Sequence, residues 1–230
     1  MREIVLDTET TGFDPFDGDR IVEIGAVELV GHMPTGNHYH QYINPQRDMP
    51  TEAFQVHGIS AEFLADKPVF AAVAQDFLDF IGDAKLVIHN AAFDMKFLNY
   101  ELKQVGKPLI ADARAIDTVA MARKKFPGSP ASLDALCRRF GITAERELHG
   151  ALLDSQILAD VYLELIGGRQ PGLVLSETAN RTETGATDSN WRPKPRPEAL
   201  AARITEKEEA AHRAFVEKLG DAALWRRFGA

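Results

Sequence analysis

The sequence predicts an α/β fold, a mixed five-stranded sheet flanked by helices, with a flexible C-terminal tail. Three β-type runs stand together before Asn44-Pro45. Short apolar strands then alternate with segments of helical period as far as Gly167-Gly168. The composition changes after Gly168, and residues 176–198 are Ser, Thr, Glu, Asn, Gly and Pro with almost nothing apolar.

The first strand holds Ile4-Val5-Leu6 and runs into Asp7-Thr8-Glu9-Thr10-Thr11-Gly12, followed by a Gly/Pro/Asp-rich loop through Asp19. Further β runs cover residues 21–30 and about 38–43, and three strands at this spacing read as an antiparallel meander. After Pro68, Val69, Val73, Phe77 and Phe80 recur at helical spacing and predict a helix to about Ile81. Residues 85–89 form a fourth strand, a helix follows over about 92–105, and a short fifth strand ends near Asp117. Two helices come next, the second opened by Ser132 as N-cap. A last helix spans about 150–166. The expected division is a body of residues 1–168, a linker of 169–198 made extended by Pro193, Pro195 and Pro197, and a short charged helix with a terminal segment in 199–230.

The chain has 230 residues, 45% apolar and 26% charged, enough for one domain plus an appendage. A single cysteine, Cys137, excludes an intramolecular disulfide framework and a Cys-based zinc site. No apolar run approaches the roughly 18 residues of a membrane span, and no signal peptide precedes the first strand, so the expectation is a cytoplasmic protein without membrane contact. The net charge is −8. Residues 1–167 carry 15 basic against 25 acidic residues, and the remainder is slightly basic. A body this acidic holds no polyanion by a broad basic surface; action on phosphate needs bound cations or a partner.

Three places in this acidic body carry candidate chemistry. Asp7 and Glu9 are two apart on a strand and leave the same face of the sheet. Adjacent carboxylates at the end of an apolar strand repel each other unless a divalent cation compensates; the plainer alternative is a strand end entering a polar loop. Asp94 follows His89-Asn90-Ala91-Ala92-Phe93 at a helix start, where an acid also complements the helix dipole. His149 precedes Asp154 by five residues, and Asp154 interrupts the apolar Ala151-Leu152-Leu153 and Ile157-Leu158. Four carboxylates are hard oxygen donors suited to Mg²⁺ or Mn²⁺, enough for two ions at the roughly 4 Å spacing that serves phosphodiester cleavage. A neutral imidazole can take the proton of an attacking water.

Together, Asp7-Thr8-Glu9, Asp94 after His-Asn-Ala-Ala-Phe, and His149 five before Asp154 resemble the signature of the DEDDh 3′→5′ exonucleases, which have a ribonuclease H-like fold. The similarity runs through residues 1–167. The stretches 52–59, 132–136 and 148–154 look like the epsilon-type proofreading exonucleases of bacterial DNA polymerase III. The resemblance implies that Asp7, Glu9 and Asp154 contact two metal ions directly, that Asp94 completes the site and that His149 is the general base. Glu52 and His57 would contact the terminal nucleotide; Thr8, the Thr10-Thr11-Gly12 backbone and Phe13 would approach it; Asp117 is read as structural. The implied reaction is hydrolysis of the last phosphodiester of a single-stranded or frayed DNA 3′ end, releasing a 5′-monophosphate.

The resemblance extends to partners. Gln170, Leu173 and Leu175 fit a sliding-clamp-binding pattern, with a helix-exit loop as the plainer reading. Leu224, Trp225 and Phe228 resemble the segment that docks on the polymerase alpha subunit, and a small accessory subunit joins the candidate partners. Two alternatives stay open: an RNA-trimming enzyme of the same family, and a noncatalytic adaptor between polymerase and clamp.

Overall fold

A computed structural model describes residues 1–143, 148–168 and 204–220. The chain divides into two compact units, Met1–Val174 and Leu175–Ala230. The first unit holds the sheet. Its strands are β1 (Arg2–Thr10), β2 (Ile21–Val30), β3 (Met33–Tyr42), β4 (Lys85–Ile88) and β5 (Ala115–Asp117), in the spatial order β3-β2-β1-β4-β5. The β3-β2-β1 part is the expected antiparallel meander, while β1-β4 and β4-β5 are parallel.

Central β1 is covered on both faces, so its apolar run is nearly continuous. Period-2 alternation sorts its residues. Ile4 and Leu6 pack with Phe77 of α3 (Phe70–Ile81) and with Phe97 and Leu98 of α4 (Ala91–Gln104). Val5 points the other way, packing with Val87, Leu158 and Tyr162, the last two on α7 (Ala151–Leu165). Between these helices in sequence lie α5 (Thr118–Lys125) and α6 (Leu133–Phe140); Ser132 caps α6 as predicted, its hydroxyl accepting the Ala135 N–H.

Strand β3 begins five residues earlier than the sequence suggests. Gly31 and His32 both have positive φ, +59° and +66°, and connect the Val30–Met33 pair as a two-residue hairpin turn. Pro34 and Gly36 are tolerated there because β3 is an edge strand. Two short helices, α1 (Thr51–His57) and α2 (Ala61–Leu64), were not foreseen; α1 ends at Gly58, whose φ of +70° lets the chain reverse.

Helix α7 lies unusually close to β2. A Cβ on Gly25 would stand 2.2 Å from the Ala151 backbone, and the Ser155 hydroxyl donates to the Gly25 carbonyl at 2.9 Å. At the other end of α7, Lys125 Nζ donates to the carbonyls of Glu164 and Leu165. In the second unit the described residues form α8 (Glu206–Lys218), opened by a Thr205/Glu208 capping box, within the span read as a charged helix. Among the described residues no helix is long and apolar enough to cross a membrane.

Candidate active site

Asp7 and Glu9 end the central strand on the face covered by α7, opposite Gly25 and Glu23 of β2. Immediately after Glu9 the register shifts, since Thr10 pairs with Ile21. The extra residue is Val22 of β2, so the bulge bends the start of β2 beside the end of β1. Glu9 is buried and Asp7 half-buried.

Asp154 sits in the first turns of α7, 4% exposed. The sequence placed an acid on the apolar side of a helix, and the fold explains it: Asp154 meets Glu9 and His149, whose candidate ligand atoms with its own all lie within 4.8 Å of one another. His149 Nδ1 is 3.0 Å from Asp154 Oδ2. An ionised carboxylate only accepts, so Nδ1 carries the proton and Nε2 keeps its lone pair, the form a general base needs. The backbone N–H of His149 donates to the Val56 carbonyl at 3.1 Å, so unforeseen α1 helps to hold the histidine.

Asp94 is buried in the first turn of α4, after Asn90 in the left-handed conformation (φ +67°). Thr8, on the face of β1 opposite Asp7 and Glu9, donates its hydroxyl to Asp94 Oδ1 at 2.7 Å. Burial pushes the Asp94 carboxyl well above the usual carboxylate range, and the Thr8 bond opposes that shift. Asp117, read as structural, accepts the N–H groups of Val119 and Asn90 and so caps α5 and braces the turn before α4.

A cleft of about 620 Å³ opens beside Thr8 and Glu9, lined also by Thr10, Thr11, Gly12, Phe13, Glu52, His57 and Phe93. Glu52 is exposed at its wall. His57 is buried, and its Nδ1 accepts the Ile59 N–H at 3.0 Å, so its proton sits on Nε2. That nitrogen has no hydrogen-bond partner among the described residues. Burial lowers the His57 pKa, and the Thr10 backbone opposes that shift. The two histidines are thus opposite tautomers, one offering a lone pair and the other an N–H.

The sequence reading missed the brace of the cleft loop. Asp19 accepts from the Thr11 hydroxyl, the Asp14 N–H and Arg47. Gly12 leaves it room, since a Cβ there would lie 2.3 Å from its carboxylate. Arg20, whose carbonyl accepts the Thr11 N–H and whose N–H donates to the Thr11 hydroxyl, is clamped by buried Glu101 through two bonds of 2.6 and 2.7 Å. A buried acid on the apolar face of α4 was the available signal. Gln170, Leu173 and Leu175, the linker of 176–198, and Leu224, Trp225 and Phe228 lie outside the described residues.

The carboxylate oxygens of Glu9 and Asp154, brought together beside His149, are hard donors that fit a divalent cation of the Mg²⁺ or Mn²⁺ class.

Residues 4–162 match the exonuclease family. The chain is 50% identical over 223 residues to the DNA polymerase III subunit epsilon of Rickettsia felis, covering 95% of this chain and 97% of the relative. It is 45% identical over 236 residues to that of Escherichia coli, covering 98% and 97%. Exonuclease X in complex with 5′-overhanging duplex DNA superposes with a TM-score of 0.56 at 26% identity, over 71% of this chain and 90% of that one. The nuclease domain of 3′hExo, a DEDDh family member, shares the fold at a TM-score of 0.62 and 19% identity, over 72% and 91%. The chain belongs to the exonuclease family, among the DNA polymerase III epsilon subunits.

Proposed function

We propose that Asp7, Glu9 and Asp154 hold divalent cations directly, that Asp94 completes this site, and that His149 is the general base in removing nucleotides singly from DNA 3′ ends. The protein is a 3′→5′ exonuclease of the proofreading type that acts on DNA in association with DNA polymerase III, as its relatives at 45% to 58% identity indicate. The observation that carries the assignment of roles is the meeting of Glu9, Asp154 and His149 at the end of the central strand. A noncatalytic adaptor has no use for that arrangement.

When bound, divalent ions of the Mg²⁺ or Mn²⁺ class, two in number, would supply Lewis acidity at the phosphoryl and leaving oxygens. The chain's own groups do the rest. His149, held through Nδ1 by Asp154, accepts a proton from water at Nε2 as the water oxygen attacks phosphorus. The phosphorus bond to the 3′-oxygen of the penultimate nucleotide breaks, that oxygen takes a proton, and a nucleoside 5′-monophosphate leaves. His57 Nε2–H and Glu52 engage the terminal nucleotide in the cleft, between the Thr10-Thr11-Gly12 backbone and Phe13. A terminus must unpair to enter, and a mismatch lowers that cost, so a site blind to sequence discriminates against errors.

The division into a nuclease body of 1–168, a linker of 169–198 and a docking segment of 199–230 is part of the same proposal. So are a cytoplasmic location, docking of Trp225 and its neighbours on the polymerase alpha subunit, clamp binding through Gln170, Leu173 and Leu175, and a small accessory subunit. Tethering raises the effective concentration of the nuclease at the primer end, which offsets the poor affinity of an acidic body for DNA.

The test uses a single-stranded oligonucleotide labelled at one end or the other, with Mg²⁺. The expected result is immediate release of a 3′ label as mononucleotide and gradual shortening of the 5′-labelled strand. Release of a 5′-terminal label first, or of internal fragments, would overturn the proposal.

A further inference from the structure

We propose that Glu23 is a positioning residue: its carboxylate seats the first turn of α7 on β2 and thereby sets the placement of His149 and Asp154. The inference rests on the roles given above to those two residues.

Glu23 is 2% exposed and lies directly opposite Glu9 in the antiparallel β1–β2 register, one pair before the bulge. Two carboxylates facing each other across strands repel, and burying an acid is costly without partners. Packing alone would be served by an apolar residue. The partners found for Glu23 show what the charge is used for. Its Oε2 accepts the N–H of Ala151, the first residue of α7, at 3.1 Å. Its Oε1 lies 2.7 Å from Nε2 of His40 on β3.

The N-cap of α7 is Gly150, which has no side chain to satisfy the exposed N–H groups of the first turn. Glu23 supplies from the neighbouring strand the acceptor that Gly150 lacks, and its negative charge suits the positive end of the helix. Two residues further along β2, Gly25 permits the close approach of Ala151 and accepts from Ser155. Three contacts therefore register residues 151–155 on β2. Asp154 lies inside that stretch, and His149 ends two residues before it. His40 holds the far oxygen of Glu23 and so fixes its rotamer.

Glu23→Ala and Glu23→Gln in the full chain, with Mg²⁺ and single-stranded DNA, test the proposal. Glu23→Ala is expected to lower kcat by about 10- to 100-fold, the usual effect of losing a group that orients a catalytic side chain, with KM nearly unchanged. Glu23→Gln keeps an oxygen for the Ala151 N–H and is expected to recover most of the loss. Amide hydrogen exchange gives a readout independent of activity: residues 151–153 should exchange faster in Glu23→Ala and at the wild-type rate in Glu23→Gln. If Glu23→Ala fails to fold, Glu23→Gln and His40→Gln carry the test through the same amides. Unchanged kcat and exchange in folded Glu23→Ala, a loss confined to KM, or no recovery in Glu23→Gln would overturn the assignment. An inactive wild type with exchange at 151–153 still dependent on Glu23 would instead sink the catalytic reading and leave the seating role standing.

Discussion

His149 Nδ1 and Asp154 Oδ2 lie 3.0 Å apart, so that one carboxylate near Glu9 also fixes the tautomer of the histidine beside it. His149→Ala should therefore lower turnover by about 10²- to 10⁴-fold, the range for loss of a general base, with metal affinity nearly intact. Asp7→Ala should lose both. Calorimetric titration with Mn²⁺ checks this, and equal affinity in wild type and Asp7→Ala would contradict the ligand assignment.

Thr8 and Asp94 tie the central strand to the start of α4 by a buried 2.7 Å bond. Thr8→Val removes the donor and leaves the carboxyl buried without it. Urea unfolding in EDTA should show a loss of about 1–3 kcal/mol at neutral pH, and Thr8→Ser should recover most of it. A fully stable Thr8→Val protein would mean that Asp94 is held by other groups.

Gly25→Ala would place a methyl group against the Ala151 backbone. Backbone cannot yield as a flexible side chain does, so α7 must lift off β2. The expected cost is about 3 kcal/mol, with activity falling together with stability because α7 carries Asp154. Thermal melting and oligonucleotide cleavage measure both. Wild-type activity in Gly25→Ala would show that the close approach is unimportant to the site.

His57 has a pKa below its ordinary value because it is buried. As pH falls through about 6.5, the unfolded chain takes up the His57 proton before the folded one does, so this residue's contribution to stability is complete above that pH and declines below it. His57→Asn should flatten that part of the stability curve between pH 7.5 and 5.5 and raise KM for single-stranded DNA. An unchanged curve and KM would remove His57 from the substrate site.

Deletion of residues 199–230 should spare cleavage of free single strands and abolish co-purification with the polymerase alpha subunit. Continued co-purification would place the contact on the nuclease body.

The strand periodicity made Asp7 and Glu9 legible as a pair, and the apolar neighbours of Asp154 marked it as an acid with a reason to be buried. The parts that escaped depend on contacts between segments far apart in sequence. Glu23 looks like an ordinary polar residue of an amphipathic strand until α7 docks over it. The bulge after Glu9 follows from pairing with Ile21, which local propensity does not encode. Helix α1 is seven residues long, too short for periodicity to mark, yet it carries His57 and steadies the His149 backbone through Val56. The extra residues of β3 contain Pro34 and Gly36, which argue locally against a strand and are admitted by its edge position.

The most direct measurement incubates 5′-labelled primers, DNA and RNA, matched or mismatched at the 3′ end, with the protein in Mg²⁺ or EDTA. Stepwise shortening of DNA is expected, faster at the mismatched end and lost in EDTA. Preference for RNA, cleavage that persists in EDTA, or no cleavage of either strand would contradict it.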